Sequence, residues 1–201
     1  MKSVSIIGYG RFGQVLHRLL KDDFFVMLYD TKDIVGAKQL GPNTRVAKNI
    51  REAFESEVIF YAVSIPAFEE VIKTHKKYFR LDHLLIDVLS VKMHPENIFK
   101  KYLEGTKTRA MLTHPMFGPD SSKGGFAGLP FIIDRFRADT SEYSFWKKYF
   151  EDKGLRVIEM SPREHDKLAA NSQGLTHFIG RLLERLNVEK GPIDSLGTKK
   201  L

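Results

Sequence analysis

The sequence predicts an α/β fold: a Rossmann-type, doubly wound and mostly parallel sheet, followed by the start of an α-helical second domain. Three observations support this prediction. Short apolar runs alternate with segments of helical periodicity, as in a parallel sheet covered by helices on both faces. A glycine-rich turn follows the first apolar run. The last part of the chain, from Pro162 onward, shows helical periodicity without a strand signal.

The elements can be placed in chain order from this alternation. Aliphatic and aromatic runs bounded by turn residues predict strands at 3–7, 25–30, 57–63, 83–88, 109–113, 130–134 and 155–160. The segments between them predict helices at about 11–21, 48–55, 67–79, 95–104 and 141–153. From Pro162 to about Asn187 the pattern predicts one helix of roughly 39 Å, longer than a crossover helix needs. We therefore place a first domain at 1–160 and the beginning of a second, helical domain at 161–201.

Composition excludes several classes of protein. The chain has 201 residues, 42% of them hydrophobic, and no cysteine, which excludes disulfides, thiolate catalysis and cysteine-ligated metals. No apolar run reaches the roughly 20 residues that span a bilayer, and the first strand begins too early to follow a leader peptide. We expect a cytoplasmic protein that binds neither a membrane nor a metal.

The formal net charge of +7 does not by itself indicate a nucleic-acid-binding protein. Acidic residues separate the lysine and arginine groups at 73–80, 99–109 and 197–200. A nucleic-acid surface would need these cations clustered on one face together with aromatic side chains. We therefore expect solvated helix faces, and the positive field suits an anionic small substrate or a dinucleotide.

The turn "GYGRFG" at 8–13 has the G-x-G-x-x-G spacing that is typical of dinucleotide sites. Its glycines permit a tight turn, close approach of a pyrophosphate and close helix packing, and the loop also contributes Tyr9, Arg11 and Phe12. Asp30 ends the second predicted strand, where a carboxylate can accept hydrogen bonds from an adenosine ribose. It would repel a 2′-phosphate, so NAD is favoured over NADP, although Lys32 and Arg11 could soften that repulsion. The alternative is a glycine turn that binds nothing.

Polar residues follow three further strands at the same expected edge of the sheet. They are Ser64, then Ser90 and Lys92, then His114 in "THPMFGPDS", and Pro66 next to Ser64 is a further candidate for the cofactor site. Ligands of doubly wound sheets lie outside the carboxyl ends of the strands, so we expect these residues to surround one site. Taken singly, His114 could be a buried histidine bonded to a carbonyl group, and Ser90 could be a simple cap.

Four segments resemble the prephenate and arogenate dehydrogenases of tyrosine biosynthesis, especially the plant-type arogenate branch. These segments are "GYGRFGQ" (8–14), "DVLSVK" (87–92), "THPMFGPDS" (113–121) and "EHDKLAANSQGLTHFIGR" (164–181). The resemblance implies a nucleotide-binding domain, a helical domain that forms a homodimer, and NAD(P)-dependent oxidative decarboxylation to an aromatic product. It also implies that His114 is the catalytic histidine, that Ser90 is its companion at the substrate hydroxyl, and that His177 lies on the substrate side.

The sequence departs from this family in two ways. Plant-type relatives commonly favour NADP, whereas Asp30 favours NAD. The family's helical domain continues well beyond "GPIDSLGTKKL" (191–201).

The long helix offers candidates for substrate binding. Gln173, His177 and Arg181 recur every four residues and form one polar stripe, and Asp166 should lie on nearly the same face. Arogenate carries an ammonium group where prephenate carries a keto group, and a carboxylate would recognise that ammonium. Asp166 is the first candidate and Asp120 the second, which favours arogenate. Arg181 and Lys92 are candidates for binding a substrate carboxylate.

Two other functions remain open from the sequence. One is a non-catalytic dinucleotide-binding module or a truncated relative. The other is a different Rossmann enzyme, such as a β-hydroxyacid dehydrogenase or an imine reductase, in which a lysine or another acid on the long helix does the chemistry. Gln173 and His177 on the relevant face count against this second alternative.

Overall fold

An eight-stranded sheet forms the centre of this computed structural model, which describes residues 2–34 and 40–186 and, at Gln173 and His177, only the backbone. The strands are β1 (Ser3–Ile7), β2 (Phe25–Tyr29), β3 (Thr44–Val46), β4 (Val58–Tyr61), β5 (Leu84–Asp87), β6 (Arg109–Pro115), β7 (Pro130–Asp134) and β8 (Arg156–Glu159). The helices are α1 (Arg11–Leu20), α2 (Ile50–Ala53), α3 (Ile65–His75), α4 (Met93–Leu103), α5 (Thr140–Asp152), α6 (Pro162–Ala169) and α7 (Leu175–Arg185).

The strand order is β3-β2-β1-β4-β5-β6-β7-β8. All neighbouring strands are parallel except β6 and β7, which are antiparallel. The chain moves outward from β1 to β3 and then returns to place β4 beside β1, so the winding reverses between these two strands. Such a reversal opens a crevice at the carboxyl ends of the strands. The predicted doubly wound, mostly parallel sheet is confirmed.

Alternate residues of each central strand enter two separate hydrophobic cores. Ile6 and Phe60 belong to the core that also contains Trp146, whereas Ile7 and Tyr61 belong to the core on the other face. The period of two along a strand explains this division, and burial on both faces explains why the strands read as nearly unbroken apolar runs. The sheet is therefore a rigid support for the loops at its carboxyl edge.

Several boundaries differ from the sequence prediction. The short edge strand β3 was not predicted, because it has only three residues and none of them is fully buried. The third helix begins at Ile65 rather than 67, with Ser64 as its N-cap and Pro66 in its first turn. Proline is tolerated there because first-turn amides have no partner within the helix.

The long terminal helix is present but contains a π-helical segment. Residues Ala170–Gly174 join α6 to α7 in this wider form, and Asn187 lies outside the described residues. A π turn adds about one residue, which rotates everything after it by roughly 100° relative to a regular helix. The prediction that Asp166 and His177 share nearly one face assumed a regular helix between them and stays a prediction, because the His177 side chain lies outside the described residues. Over residues 2–34 and 40–186, no helix has both the length and the apolar character needed to cross a bilayer.

Candidate active site

The three glycines of the first loop have different structural roles. Gly8 has φ +96°, and a Cβ added there would lie 2.5 Å from the Ala62 carbonyl oxygen. A Cβ on Gly13 would lie 2.1 Å from the Gly8 carbonyl oxygen. At Gly10, an added Cβ would meet nothing within 4 Å. Gly8 and Gly13 are thus required by the packing of the fold, while Gly10 leaves open space at the start of α1.

Asp30 connects the end of β2 to this loop. One carboxylate oxygen accepts the Tyr9 amide at 2.6 Å, and the other accepts the Lys32 amide at 3.0 Å. Tyr9, Gly10, Asp30 and Lys32 line a cleft of about 310 Å³. The open space at Gly10 beside a helix N-terminus, with the Asp30 carboxylate lining the same cleft, fits a pyrophosphate and an adenosine ribose.

The two long side chains of the loop point to different partners. The Tyr9 hydroxyl lies 3.0 Å from Nδ1 of His17, on the α1 side of the loop. Arg11 is exposed and forms an ion pair with Asp120 at 3.2 Å, in which both side chains are more than 70% exposed. An exposed pair of this kind contributes little to stability, so Arg11 can exchange its partner for a ligand phosphate.

A cavity of about 370 Å³ extends from the glycine loop across the carboxyl edge of the sheet. Its walls include Phe12 from the loop, Ser64 at the start of α3, Ser90 after β5 and His114 at the end of β6. Pro66 is exposed in the first turn of α3 and is not part of this wall, which Ile65 completes instead. The sequence-predicted residues of four chain segments thus border one cavity.

A second cavity, of about 560 Å³, adjoins the first. Ser90 and His114 belong to both, and the second is completed by Met116 and Ser121 of the loop after β6 and by Ser172 and Thr176 of the terminal helix. Ser172, Thr176 and Ser121 were not predicted. Short hydroxyl side chains in loops and helices give no periodic signal that could have identified them. Ser90 and His114 therefore stand between a region reached by the glycine loop and a region bounded by the terminal helix.

His114 is only 5% exposed and is held by a second histidine. Its Nδ1 lies 2.8 Å from Nε2 of His165, which is 2% exposed and begins the terminal helical region. Burial first, and then the nearby Lys92 ammonium and the His165 ring, lower the pKa of His114 to about 3. The imidazole is therefore neutral at neutral pH, with a lone pair on one ring nitrogen.

Asp166 holds the start of α4 as well as the His165 ring. It accepts the Lys92 amide at 2.7 Å and the Met93 amide at 2.9 Å, and it lies 2.8 Å from Nδ1 of His165. Burial acts to raise the pKa of Asp166, but these hydrogen bonds outweigh it and hold the pKa below its usual value. The prediction that Asp166 binds a substrate ammonium is not supported, because three groups of the chain already use this carboxylate.

Lys92 has a different position from the predicted one. Its ammonium is 1% exposed and pairs with Asp87, which is fully buried, and with the Thr113 carbonyl oxygen. A buried ammonium in such a pair cannot reach a ligand without leaving an uncompensated carboxylate. The prediction that Lys92 binds a substrate carboxylate is therefore corrected: the residue ties the ends of β5 and β6 together beneath His114.

The remaining predicted substrate residues are not gathered at the cavities. Asp120 is exposed and lies close to Arg11 and, at 2.9 Å, to Lys123. Arg181 is exposed on α7, and the side chains of Gln173 and His177 lie outside the described residues. Among residues 2–34 and 40–186 there is no cluster of three or more His, Asp or Glu side chains able to hold a metal ion.

His165 is the main residue that the sequence prediction missed. It occurs in "EHD", directly before Asp166, but it is separated from His114 by 51 residues. A histidine next to a carboxylate at a helix start gives no sign of which strand end it will contact. In the structure α6 packs against α4, and the two rings lie within hydrogen-bond distance.

Comparison with known proteins finds a matching family model and relatives of similar sequence. A family model described as prephenate dehydrogenase, nucleotide-binding domain, matches residues 17–159, beginning within α1. Arogenate dehydrogenase 1, chloroplastic, from Arabidopsis thaliana is 36% identical over 98% of this chain and 32% of its own length. Arogenate dehydrogenase 2, chloroplastic, from the same plant is 35% identical over 98% of this chain and 57% of its own length. The chain thus spans between about a third and somewhat over half of these relatives.

Solved structures of low sequence identity share the fold. A Synechocystis arogenate dehydrogenase aligns with a TM-score of 0.75 and 15% identity, over 98% of this chain and 77% of that one. The A. aeolicus prephenate dehydrogenase, in complex with hydroxyphenyl propionate and NAD+, aligns with a TM-score of 0.79 and 22% identity, over 100% and 76%. An imine reductase from Myxococcus stipitatus aligns with a TM-score of 0.68 and 17% identity, over 93% and 64%. At these identities the likeness concerns the fold alone.

Proposed function

This chain belongs to the prephenate dehydrogenase family through its nucleotide-binding domain, and on that premise we propose that it catalyses NAD(P)-dependent oxidative decarboxylation of arogenate or prephenate. The products are tyrosine from arogenate and 4-hydroxyphenylpyruvate from prephenate. One observation carries the proposal: Ser90 and His114 are shared by two adjoining cavities, one of which reaches Phe12 of the glycine loop. A cofactor ring and a substrate ring could meet at these two side chains.

The cofactor would be held by the residues of the first loop and its neighbours. The open space at Gly10 and the N-terminus of α1 suit the pyrophosphate, and Asp30 suits the adenosine ribose. Phe12 and Ser64 line the part of the cavity where the reactive ring would lie. When bound, the cofactor supplies the acceptor for a hydride. Asp30 favours NAD over NADP, because its carboxylate would repel a 2′-phosphate.

The protein's own contribution is to take a proton. The reaction removes a hydride from the ring carbon that carries the hydroxyl group, and a proton from that hydroxyl. Neutral His114 accepts the proton on its unbonded ring nitrogen, and the Ser90 hydroxyl hydrogen-bonds and orients the substrate oxygen. The bond from the ring to its carboxylate then breaks and carbon dioxide leaves. The electron pair of that bond completes the aromatic ring and pushes electrons onto the former hydroxyl oxygen, which takes the proton back from the His114 imidazolium to give the phenol.

Arogenate is favoured over prephenate by the names of the relatives. Both plant proteins that are more than a third identical to this chain are called arogenate dehydrogenases. The earlier argument from Asp166 no longer contributes, since that carboxylate is used within the chain. Gln173, His177 and Arg181 stay predictions for the substrate side, as does the division into domains at 1–160 and 161–201.

A matrix of two substrates and two cofactors tests the proposal. Arogenate and prephenate are each supplied with NAD and with NADP, and reduced cofactor is followed by absorbance. We expect turnover with arogenate and NAD to exceed the other three combinations. The substitution His114→Asn should lower kcat by about 10²–10⁴-fold, because it removes the proton acceptor. Cofactor affinity, measured by calorimetry, should stay unchanged.

The matched control is His94→Asn, which removes an exposed histidine from α4. It should leave both turnover and cofactor affinity as they are. Near-normal turnover in His114→Asn would contradict the role of His114. Binding of nucleotide without oxidation of either substrate would contradict the dehydrogenase proposal and would favour a non-catalytic dinucleotide-binding module.

A homodimer through the helical region is also part of the proposal. Large apolar side chains on α6, on α7 and just after it are 41–64% exposed: Leu168, Leu175, Phe178, Ile179, Leu182 and Leu186. Faces of this kind commonly bury themselves against another body. Light scattering should give a dimer that Phe178→Glu dissociates. The cytoplasmic location expected from the sequence remains a proposal, and the two plant relatives are named as chloroplastic.

A further inference from the structure

A chain of three side chains runs from the candidate base to the start of a helix. His114 at the end of β6 contacts His165 of α6 at 2.8 Å, and His165 contacts Asp166 at 2.8 Å. The two rings are nearly perpendicular, at 69°, with their centroids 5.0 Å apart. Both histidines are at most 5% exposed. Neither His165 nor Asp166 lines either of the two cavities, so they act on a ligand only through His114.

The direction of the hydrogen bonds follows from the ionised carboxylate. A carboxylate can only accept, so the proton between His165 and Asp166 belongs to Nδ1 of His165. A neutral His165 then has a lone pair on Nε2, and this lone pair accepts the proton on Nδ1 of His114. A neutral His114 with its proton on Nδ1 has its lone pair on Nε2. The ring nitrogen left for a ligand is therefore a proton acceptor.

We propose that His165 and Asp166 are positioning residues that fix His114 in the tautomer with its proton on Nδ1 and its lone pair on Nε2. In the other tautomer, Nδ1 of His114 and Nε2 of His165 would face each other with two lone pairs, His165 would have to break its contact with Asp166, or the buried His165 ring would have to carry a second proton. The catalytic consequence rests on the proposed function, whereas the tautomer itself does not.

Asp166 also stabilises the charge that arises during proton transfer. When Nε2 of His114 takes a proton, the ring becomes an imidazolium close to the Lys92 ammonium, which disfavours it. The carboxylate of Asp166 contacts the His165 ring, and its negative charge favours the His114 cation. Asp87 lies beneath Lys92, pairs with that ammonium and so reduces its effect. The His165 ring transmits the field of Asp166 through a hydrogen bond that strengthens as His114 becomes charged.

Asp166 is itself fixed by the fold. Its two oxygens accept the amides of Lys92 and Met93 at the N-terminus of α4, where the helix dipole favours a negative charge. These two hydrogen bonds, at the contact between α4 and the terminal helical region, thus keep the carboxylate ionised. The same contact sets the orientation of the catalytic ring.

The test is a nitrogen-15 NMR measurement on the protein labelled at histidine. Two-bond correlations between ring nitrogens and ring protons distinguish the two neutral tautomers, and His114→Asn identifies the signals of residue 114. At neutral pH we expect His114 to show a protonated Nδ1 and an unprotonated Nε2. In His165→Asn and in Asp166→Asn we expect the His114 signals to shift toward a mixture of tautomers. The matched controls His94→Asn and Glu164→Gln, both exposed, should leave the signals unchanged.

Turnover supplies the second readout. With whichever substrate the wild-type protein oxidises, kcat should fall by about 10–100-fold in His165→Asn and in Asp166→Asn, with cofactor affinity retained. A wild-type His114 protonated on Nε2, or an unchanged tautomer in both variants, would overturn the inference. Wild-type kcat in both variants would overturn its catalytic part. If no substrate is oxidised, the proposed function fails, and the NMR result still decides the tautomer.

Discussion

The neutral state of His114 predicts a specific dependence of stability on pH. Burial first, and then the Lys92 ammonium, lower its pKa from 6.5 to about 3 in the folded chain. In the unfolded chain the histidine regains its ordinary value, so between these two values the unfolded state binds a proton that the folded state does not. The contribution of neutral His114 to the free energy of unfolding is therefore complete above pH 6.5 and declines as the pH falls toward 3.

The size of the loss at pH 5 can be worked out from these values. At pH 5, the protonated form of an unfolded histidine with a pKa of 6.5 is about 30 times as populated as the neutral form, while the folded histidine is almost fully neutral. Each tenfold ratio corresponds to about 1.4 kcal/mol, so the free energy of unfolding falls by about 2 kcal/mol between pH 7.5 and pH 5. Other groups, such as His75 with a pKa lowered to about 4 by burial, add to the total loss.

Comparison with a variant isolates the part due to His114. Urea unfolding is measured at pH 7.5 and pH 5 for the wild type, for His114→Asn and for His94→Asn. We expect the wild type and His94→Asn to lose about 2 kcal/mol more than His114→Asn does, because only that variant lacks the buried imidazole. Equal losses in all three proteins would show that His114 is not held neutral by burial, and the argument for a neutral proton acceptor would fail.

Three further predictions follow from contacts in and below the site. Gly13→Ala should prevent folding or lower the melting temperature sharply, because its Cβ would lie 2.1 Å from a carbonyl oxygen. Gly10→Ala should fold normally, because its Cβ meets nothing within 4 Å, and should lose dinucleotide affinity in calorimetry. Asp30→Asn should reduce the preference for NAD over NADP in steady-state kinetics, since a neutral amide no longer repels a 2′-phosphate; an unchanged ratio would show that Asp30 only holds the loop. Lys92→Met should cost about 3–5 kcal/mol in urea unfolding by leaving Asp87 buried without its partner, and a stable variant would contradict the buried pair.

The fold was predictable because its signals are local. Apolar runs locate β1, β2 and the central strands to within one or two residues, since burial on both faces demands unbroken apolar sequence. The short strand β3 escaped prediction because its place at the sheet edge depends on pairing with β2 and not on its own residues. The π segment at Ala170–Gly174 was equally hidden, because an extra residue in one turn leaves the local pattern helical.

The candidate site was predictable only where topology forces residues together. Residues at the ends of parallel strands must share an edge, and Ser64, Ser90 and His114 do border one cavity. Lys92 and Asp166 failed as substrate ligands because a charge seen in sequence carries no information about its partner. Both charges have partners within the chain: Lys92 pairs with Asp87, five residues earlier, and with the Thr113 carbonyl oxygen, while Asp166 accepts two amides at the start of α4, 73 and 74 residues away.

The chemistry of the site and its substrate preference come from different parts of the chain. The proposed proton acceptor His114 lies on β6, and its supporting pair His165 and Asp166 lies on α6. The side-chain end of the substrate would lie toward the second cavity, whose far wall is Ser172 and Thr176. None of the described residues on that wall carries a charge that could tell an ammonium from a keto group. If the proposed function holds, selectivity between arogenate and prephenate comes from groups other than the described lining of the cavity, and exchanging residues of α7 should change KM ratios while leaving the His114 tautomer intact.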